Sequence, residues 1–231
     1  MYILGLQKTT LLDYPGHVAA TIFTGGCNFC CPFCHNKDLV LNMAEQTEYS
    51  EEEIFAFLRK RSGILDGVCI TGGEPTLQPD LEGFIRKVKK LGLAIKLDTN
   101  GSHPDRLREL MEENLLDYVA MDVKASPRKY GLVSGTEAVR FEDIEKSIHL
   151  LTESDIPYEF RTTVVKGLLE PEEFDEIGKL LQGCSVYYLQ AYQDSEQVIC
   201  PGFEAFTTEE MNKIAGIARK YIDKVIIRGV E

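Results

Sequence analysis

The chain has 231 residues, a net charge of −12 and an apolar fraction of 44%. The chain is acidic overall and contains no block of lysine and arginine. Both features argue against nucleic acid as a partner. The length suits one sizeable domain, and no linker rich in proline, serine and glycine divides it. We therefore expect a single domain over residues 1–231.

The first residues of the chain and its cysteine content bear on the cellular compartment in which we expect the protein. Residues 1–6 lack a charged segment and a long apolar run, so we expect no signal peptide, no transmembrane helix and no membrane partner. The seven cysteines are odd in number and clustered, unlike a disulfide framework. They suit a reducing cytoplasm, which is the expected location.

Strand and helix patterns alternate along the chain. A small β element over residues 1–17 precedes short apolar strand patterns, which lie at residues 18–23, 67–70, 93–97, 118–121, 158–165, 186–189 and 225–227. A helix pattern follows each of the first six strands. Such alternation predicts an α/β fold with a parallel sheet. Since eight units would close a TIM barrel, six predict an incomplete, open TIM-like (β/α)6 barrel with a short N-terminal β element.

Residues 24–36 hold four of the seven cysteines. Cys27, Cys31 and Cys34 have the spacing C-x3-C-x2-C, with Cys30 between them. Three thiolates on one loop can hold three irons of a 4Fe-4S cluster and leave the fourth open for chemistry. The loop also fits structural zinc, through two C-x2-C pairs or through the three cysteines with His35, and it fits an electron-transfer cluster.

Three further polar runs follow predicted strands, namely residues 72–75, 98–101 and 122–124. All of them fall at carboxyl ends of strands, which form the face that carries the chemistry in barrels. A zinc-stabilised module has no need for these runs, so they favour an enzyme. The segment 125–140 is longer than most connections between a strand and a helix and is a candidate for substrate or partner contact.

These residues carry a resemblance to a known family. The spacing C-x3-C-x2-C with Phe33 before the last cysteine resembles the radical S-adenosylmethionine enzymes, and the run Gly72-Gly73-Glu74 resembles their GGE motif. The runs Asp98-Thr99-Asn100-Gly101 and Asp122-Val123-Lys124 resemble the activases of glycyl radical enzymes. Over nearly the whole chain, the sequence is most similar to activating proteins of anaerobic ribonucleoside-triphosphate reductase.

The resemblance implies one 4Fe-4S cluster on Cys27, Cys31 and Cys34, because residues 36–68 contain no further cysteine. It implies S-adenosylmethionine as cosubstrate and, as in some members, a monovalent cation held by Asp98, Thr99 and Asp122. The residues expected to contact the cosubstrate are Phe33, Gly72, Gly73, Glu74, Asp98, Thr99, Asn100, Asp122, Lys124 and Arg161. Polar residues at the sixth strand end, 190–193, depart from the family pattern.

The implied function is reductive cleavage of S-adenosylmethionine and formation of a glycyl radical on a partner enzyme. The expected partner is anaerobic ribonucleotide reductase, and the expected electron donor is a flavodoxin or ferredoxin. One alternative is a radical enzyme that acts on a small molecule. The non-enzyme alternative is an iron–sulfur electron carrier or a zinc-stabilised binding module. Four cysteines receive no catalytic role in this interpretation, namely Cys30, Cys69, Cys184 and Cys200.

Overall fold

The computed structural model describes residues 1–230. Its contacts divide the chain into two compact units. The first unit comprises Met1–Asn28, Asp38–Thr99 and Asp105–Val119. The second unit comprises Phe29–Lys37, Asn100–Pro104 and the chain from Ala120 onward. The single domain expected over residues 1–231 stays a prediction.

The first unit is built on four strands, β1 (Ile3–Thr10), β2 (Ala19–Thr24), β3 (Gly67–Gly72) and β4 (Ala94–Thr99). Strand β1 pairs antiparallel with β2 and forms the predicted N-terminal β element. Strands β2, β3 and β4 pair in parallel, in chain order. In this register Cys69 lies opposite Thr21 on one side and Lys96 on the other.

The helices between these strands are α1 (Lys37–Val40), α2 (Glu51–Lys60) and α3 (Leu81–Lys89), and α4 (Pro104–Glu112) follows β4. Helix α2 begins with a capping box, in which Ser50 accepts from the backbone of Glu53 and Glu53 from that of Ser50. Helix α3 has a buried apolar face, formed by Leu81, Phe84, Ile85 and Val88. The short helix α1 lacks a buried residue, and the sequence pattern did not indicate it.

The second unit contains β5 (Tyr118–Asp122, of which the last three residues belong to this unit), β6 (Tyr158–Lys166), β7 (Tyr187–Ala191), β8 (Glu204–Ala205) and β9 (Val225–Arg228). Strand β7 pairs in parallel with β6 and with β9. Strand β8, which the sequence did not predict, pairs antiparallel with β6. Strand β9 is the last strand in the sheet order of this unit, and β1 is the first strand in that of the other unit. The strands therefore do not close into a barrel. The predicted open α/β architecture is confirmed.

The helices of the second unit are α5 (Tyr130–Ser134), α6 (Phe141–Thr152), α7 (Glu173–Leu180) and α8 (Thr208–Ala218). The segment predicted as a long loop is therefore shorter, because a 3-10 turn at Pro127–Lys129 and helix α5 fill its first half. Helix α5 buries Tyr130 and Val133, which explains why this short segment is ordered as a helix. Within residues 1–230, no helix has the length and apolar character to cross a membrane.

Candidate active site

The polar runs lie at the strand ends where the sequence predicted them. The cysteine loop follows β2, the glycine run includes the last residue of β3, and Asp98 and Thr99 end β4. These residues belong to the first unit, except that the cysteine loop passes into the second unit after Asn28. In the second unit, Asp122 ends β5 and Arg161 lies within β6.

The glycine run packs against the start of the cysteine loop through backbone atoms. The Gly73 N–H donates to the Thr24 carbonyl at 2.9 Å, and the Glu74 N–H donates to the Gly26 carbonyl at 2.8 Å. A Cβ atom on Gly73 would lie 1.9 Å from the Gly26 oxygen, and Gly72 has a φ of +122°. Both positions therefore need glycine for the packing of the two loops. Their predicted contact with the cosubstrate stays a prediction.

Glu74 joins the ends of β3 and β4. Its carboxylate is fully buried and accepts hydrogen bonds from the Thr76 backbone N–H at 3.1 Å and from the Thr99 hydroxyl at 2.8 Å. These bonds position the glycine run relative to the end of β4. The described contacts thus give Glu74 and Thr99 a structural role, and their predicted binding roles stay predictions.

Asp98 forms an ion pair with a residue that the sequence reading passed over. The Lys96 ammonium contacts Oδ1 of Asp98, and only 2% of the Lys96 side chain is exposed. Lys96 Nζ also lies 3.9 Å from Cys69 Sγ, which is itself 3.7 Å from Asp98 Oδ1. The signal in the sequence was a charged residue inside an apolar strand, two positions before an acid and so on the same face.

The second half of the cysteine loop is held by two segments of the second unit. The Cys30 N–H donates to the Ser134 carbonyl at 2.9 Å. On the other side, the Ile199 N–H donates to the Cys34 carbonyl at 3.1 Å, and the Cys200 N–H donates to the Pro32 carbonyl at 2.8 Å. The loop that carries the thiols therefore has fixed backbone neighbours on both sides.

The sixth strand end, where the sequence departs from the family pattern, also contacts this loop. The Gln193 carbonyl oxygen lies 2.8 Å from Nε2 of His35, and the Lys37 ammonium donates to the Glu196 carbonyl at 2.9 Å. Tyr192 donates to Asp194 at 2.6 Å, which orders the segment. The residues after β7 thus support the cysteine loop, a role that no local pattern indicated.

Asp122 is the centre of a charged cluster in the second unit. The Lys124 ammonium lies 2.9 Å from Oδ2, and Arg161 Nε lies 2.8 Å from Oδ1. Burial acts to raise the Asp122 pKa, but the two cations outweigh it and hold that pKa well below its usual range. Burial acts to lower the Lys124 pKa, because it disfavours the charged ammonium. The nearby Asp122 carboxylate outweighs this effect, so the Lys124 pKa is raised overall. Arg161 is thus held at this cluster by its contact with Asp122, and its predicted contact with the cosubstrate stays a prediction.

The ring of Phe33 and the pair formed by Glu159 and Arg228 complete the cluster. Phe33 is 4% exposed, and Lys124 Nζ lies 6.0 Å from the centre of its ring. Glu159 is 1% exposed and accepts from Arg228 at 3.3 and 3.4 Å. Sequence reasoning missed Glu159 and Arg228, because the short strand β9 gave no reason to assign a role to its last residue.

Asn100 has a local role. Its side-chain oxygen accepts from the backbone N–H of Ser102 at 2.9 Å and from the Ser102 hydroxyl. This is the turn chemistry expected of an Asn-Gly pair. Nearby, the Gly101 carbonyl accepts from the Ser147 hydroxyl at 2.7 Å, which ties the turn to α6. The predicted cosubstrate contact of Asn100 stays a prediction.

The donor set of the cysteine loop suits an iron–sulfur cluster. All seven cysteines are reduced thiols. Burial raises the Cys31 pKa to about 11 and also raises that of Cys34, while Lys124 acts in the opposite direction on both. The ammonium therefore favours the thiolates that iron requires. Among residues 1–230, no group of three or more His, Cys, Asp and Glu side chains is arranged to hold a single metal ion.

Comparison with known proteins identifies the class. The family model of the radical S-adenosylmethionine superfamily matches residues 21–181, which include every predicted site residue. The chain belongs to the radical S-adenosylmethionine superfamily. Membership implies a 4Fe-4S cluster and S-adenosylmethionine, as the cysteine spacing predicted, so the predicted family is confirmed.

Two sequence relatives and one solved structure are activating enzymes by name. The chain is 34% identical over 242 residues to a Methanocaldococcus jannaschii protein with the provisional name glycyl-radical enzyme activating enzyme, covering 99% of this chain and 96% of that one. It is 30% identical to the pyruvate formate-lyase-activating enzyme of Clostridium pasteurianum, covering 63% and 62%. A crystallised domain of a pyruvate-formate lyase-activating enzyme from Bacteroides vulgatus shares the fold, with a TM-score of 0.58 and 21% identity, covering 71% of this chain and 99% of that chain.

Proposed function

We propose that the protein is an activase, which cleaves S-adenosylmethionine and generates a glycyl radical on anaerobic ribonucleotide reductase. The observation that carries the proposal is the similarity to an activase over nearly the full length of both chains. The matched region covers 99% of this chain and 96% of the relative. The particular partner is inferred from the resemblance of the motifs.

In this proposal Cys27, Cys31 and Cys34 hold three irons, and the fourth iron is left for the cosubstrate. When bound, the cluster supplies one electron, which converts S-adenosylmethionine to methionine and a 5′-deoxyadenosyl radical that takes a hydrogen atom from the substrate. A flavodoxin or ferredoxin supplies the electron to the cluster. The reaction takes place in the cytoplasm, as the cysteine content predicts.

The protein's own residues bind and orient the cosubstrate. The proposed cosubstrate-binding residues are Phe33, Gly72, Gly73, Glu74, Asp98, Thr99, Asn100, Asp122, Lys124 and Arg161. Within the second unit, Lys124 and Arg161 place two cations around Asp122, which gives this cluster a net positive charge suited to a carboxylate. A monovalent cation beside Asp98 and Asp122 stays a prediction, and it would compete with these ammonium and guanidinium groups for the same oxygens.

Glycine is a suitable substrate for chemical reasons. Its Cα radical is stabilised by the flanking amide groups, and the absence of a side chain lets its backbone enter a narrow site. The sequence has no run of lysine and arginine that indicates a site for a phosphorylated small molecule, and it has no second cysteine set. These features favour a peptide substrate over the small-molecule alternative.

The test combines reconstituted protein, reductant, S-adenosylmethionine and anaerobic ribonucleotide reductase under anaerobic conditions. We expect about four irons per chain and a glycyl radical signal on the reductase in electron paramagnetic resonance. Cys31→Ala should lose the iron and the signal, while the matched control Cys30→Ala should keep both, because only the backbone of Cys30 supports the loop. A reductase that stays radical-free while a small metabolite is consumed would support the alternative enzyme instead.

A further inference from the structure

The Lys96–Asp98 pair is a buried ion pair at a strand end where a bound cation was expected. Lys96 and Asp98 lie two positions apart on β4, so their side chains share one face of the strand. The Lys96 side chain is 2% exposed and that of Asp98 is 15% exposed. Apart from Asp98, the described surroundings of the ammonium are Cys69 Sγ at 3.9 Å and the Tyr118 ring centre at 5.9 Å. Asp98 is thus the acid that contacts this ammonium.

We propose that the Lys96 ammonium is a built-in counterion for Asp98 and takes the place of a monovalent metal cation. The expectation that Asp98 lies beside the cosubstrate rests on the proposed function. The inference that Lys96 replaces a metal cation rests on the ion pair itself. A primary ammonium and a potassium ion carry the same charge and have similar sizes, so either can neutralise one carboxylate at this position.

The predicted oxygen ligands are already engaged within their own units. In the first unit, Asp98 Oδ1 contacts Lys96, and the Thr99 hydroxyl donates to Glu74 at 2.8 Å. In the second unit, the two carboxylate oxygens of Asp122 accept from Lys124 and Arg161. Each of the two acids therefore already has a counterion that the chain itself supplies, and the residues do not fit an added monovalent ion.

The replacement has a functional consequence. A buried charge requires a partner, since desolvation makes an unpaired carboxylate unfavourable. A protein that supplies its own cation keeps Asp98 neutralised whatever the ionic composition around it. Its binding of cosubstrate should then be independent of potassium and sodium.

The test is thermal unfolding of the full-length chain, purified anaerobically, in buffers whose chloride salt is tetramethylammonium, sodium or potassium at equal ionic strength. Tetramethylammonium is bulkier than sodium, potassium or a primary ammonium group and has no N–H to donate. We expect wild-type protein to unfold at the same temperature in all three salts. Lys96→Met should be stabilised by potassium or sodium relative to tetramethylammonium, because the small ion replaces the lost ammonium.

Two variants serve as controls. Lys87→Met removes an exposed ion pair with Glu51 and should show no preference among the salts. Lys96→Met combined with Asp98→Asn removes both buried charges and should be equally indifferent, and it provides a folded reference if Lys96→Met alone is too unstable to measure. Specific stabilisation of the wild type by potassium or sodium would overturn the proposal, as would equal behaviour of Lys96→Met and the double variant.

Binding of S-adenosylmethionine to the reconstituted protein separates this proposal from the proposed function. We expect wild-type affinity to be equal in the three salts, and Lys96→Met to lose roughly tenfold in tetramethylammonium and to recover in potassium, a loss of about 1.4 kcal/mol. Wild-type protein that binds no S-adenosylmethionine in any salt would refute the proposed function, while the unfolding measurement would still decide on the counterion.

Discussion

At the scale of single residues, Asp122 shows how a carboxylate is kept charged inside a protein. Lys124 and Arg161 contact its two oxygens at 2.9 and 2.8 Å, and their charges lower its pKa despite burial. A carboxyl group with a depressed pKa in the folded state stabilises the fold above its unfolded pKa of about 3.9 and loses this contribution as the pH falls through the folded value. The stabilisation is therefore complete at neutral pH.

Replacement of Asp122 tests this arrangement. Asp122→Asn keeps the shape but leaves Lys124 and Arg161 without their shared counterion. Because 29% of the Asp122 side chain is exposed, we expect the free energy of unfolding at neutral pH to fall by about 1.5–3 kcal/mol. The control Glu209→Gln removes an exposed pair with Lys213 and should cost about 0.3–0.5 kcal/mol. Denaturant unfolding measures both. Equal, small effects would show that the Asp122 cluster is not an energetically important ion pair.

At the scale of elements, the cysteine loop depends on the segment that follows β5. Gly135 ends helix α5 with a φ of +70°, and a Cβ atom there would lie 2.0 Å from the Cys30 carbonyl oxygen. The neighbouring Ser134 accepts the Cys30 N–H. The segment expected to contact substrate thus holds the loop that carries the predicted cluster ligands.

The matched pair Gly135→Ala and Gly167→Ala tests this dependence. Gly167 has a similar φ of +88°, but nothing lies within 4 Å of an added Cβ. Both variants share the cost of an unfavourable backbone conformation, about 1 kcal/mol or more. Only Gly135→Ala displaces the cysteine loop, so we expect reduced iron content after reconstitution in that variant alone. Equal iron content in the two variants would contradict a supporting role for Gly135.

The same elements show what the sequence could predict. The strand-end runs were located correctly because apolar strand patterns and polar runs alternate along the chain, which is a local signal. The support of Cys34 and Pro32 by residues 199 and 200 could not be predicted, since backbone hydrogen bonds between distant segments leave no composition pattern. Lys96 was detectable in principle, because a lysine within an apolar strand needs a nearby acid.

At the scale of the whole molecule, the parallel strands β2 to β4 and β6, β7 and β9 form the frame that carries the candidate site in each unit. Polar residues at the strand ends are positioned by buried strands, which hold side chains more rigidly than loops do. These features are consistent with an activase whose substrate is a protein.

The most direct test of the central claim follows one hydrogen atom. Anaerobic ribonucleotide reductase labelled with deuterium at the Cα atoms of its glycines is incubated with reduced protein and S-adenosylmethionine, and the 5′-deoxyadenosine formed is analysed by mass spectrometry. Direct abstraction by the 5′-deoxyadenosyl radical predicts one deuterium in 5′-deoxyadenosine for each glycyl radical formed. Unlabelled 5′-deoxyadenosine, produced with no radical on the reductase, would contradict the assignment of a glycyl radical activase.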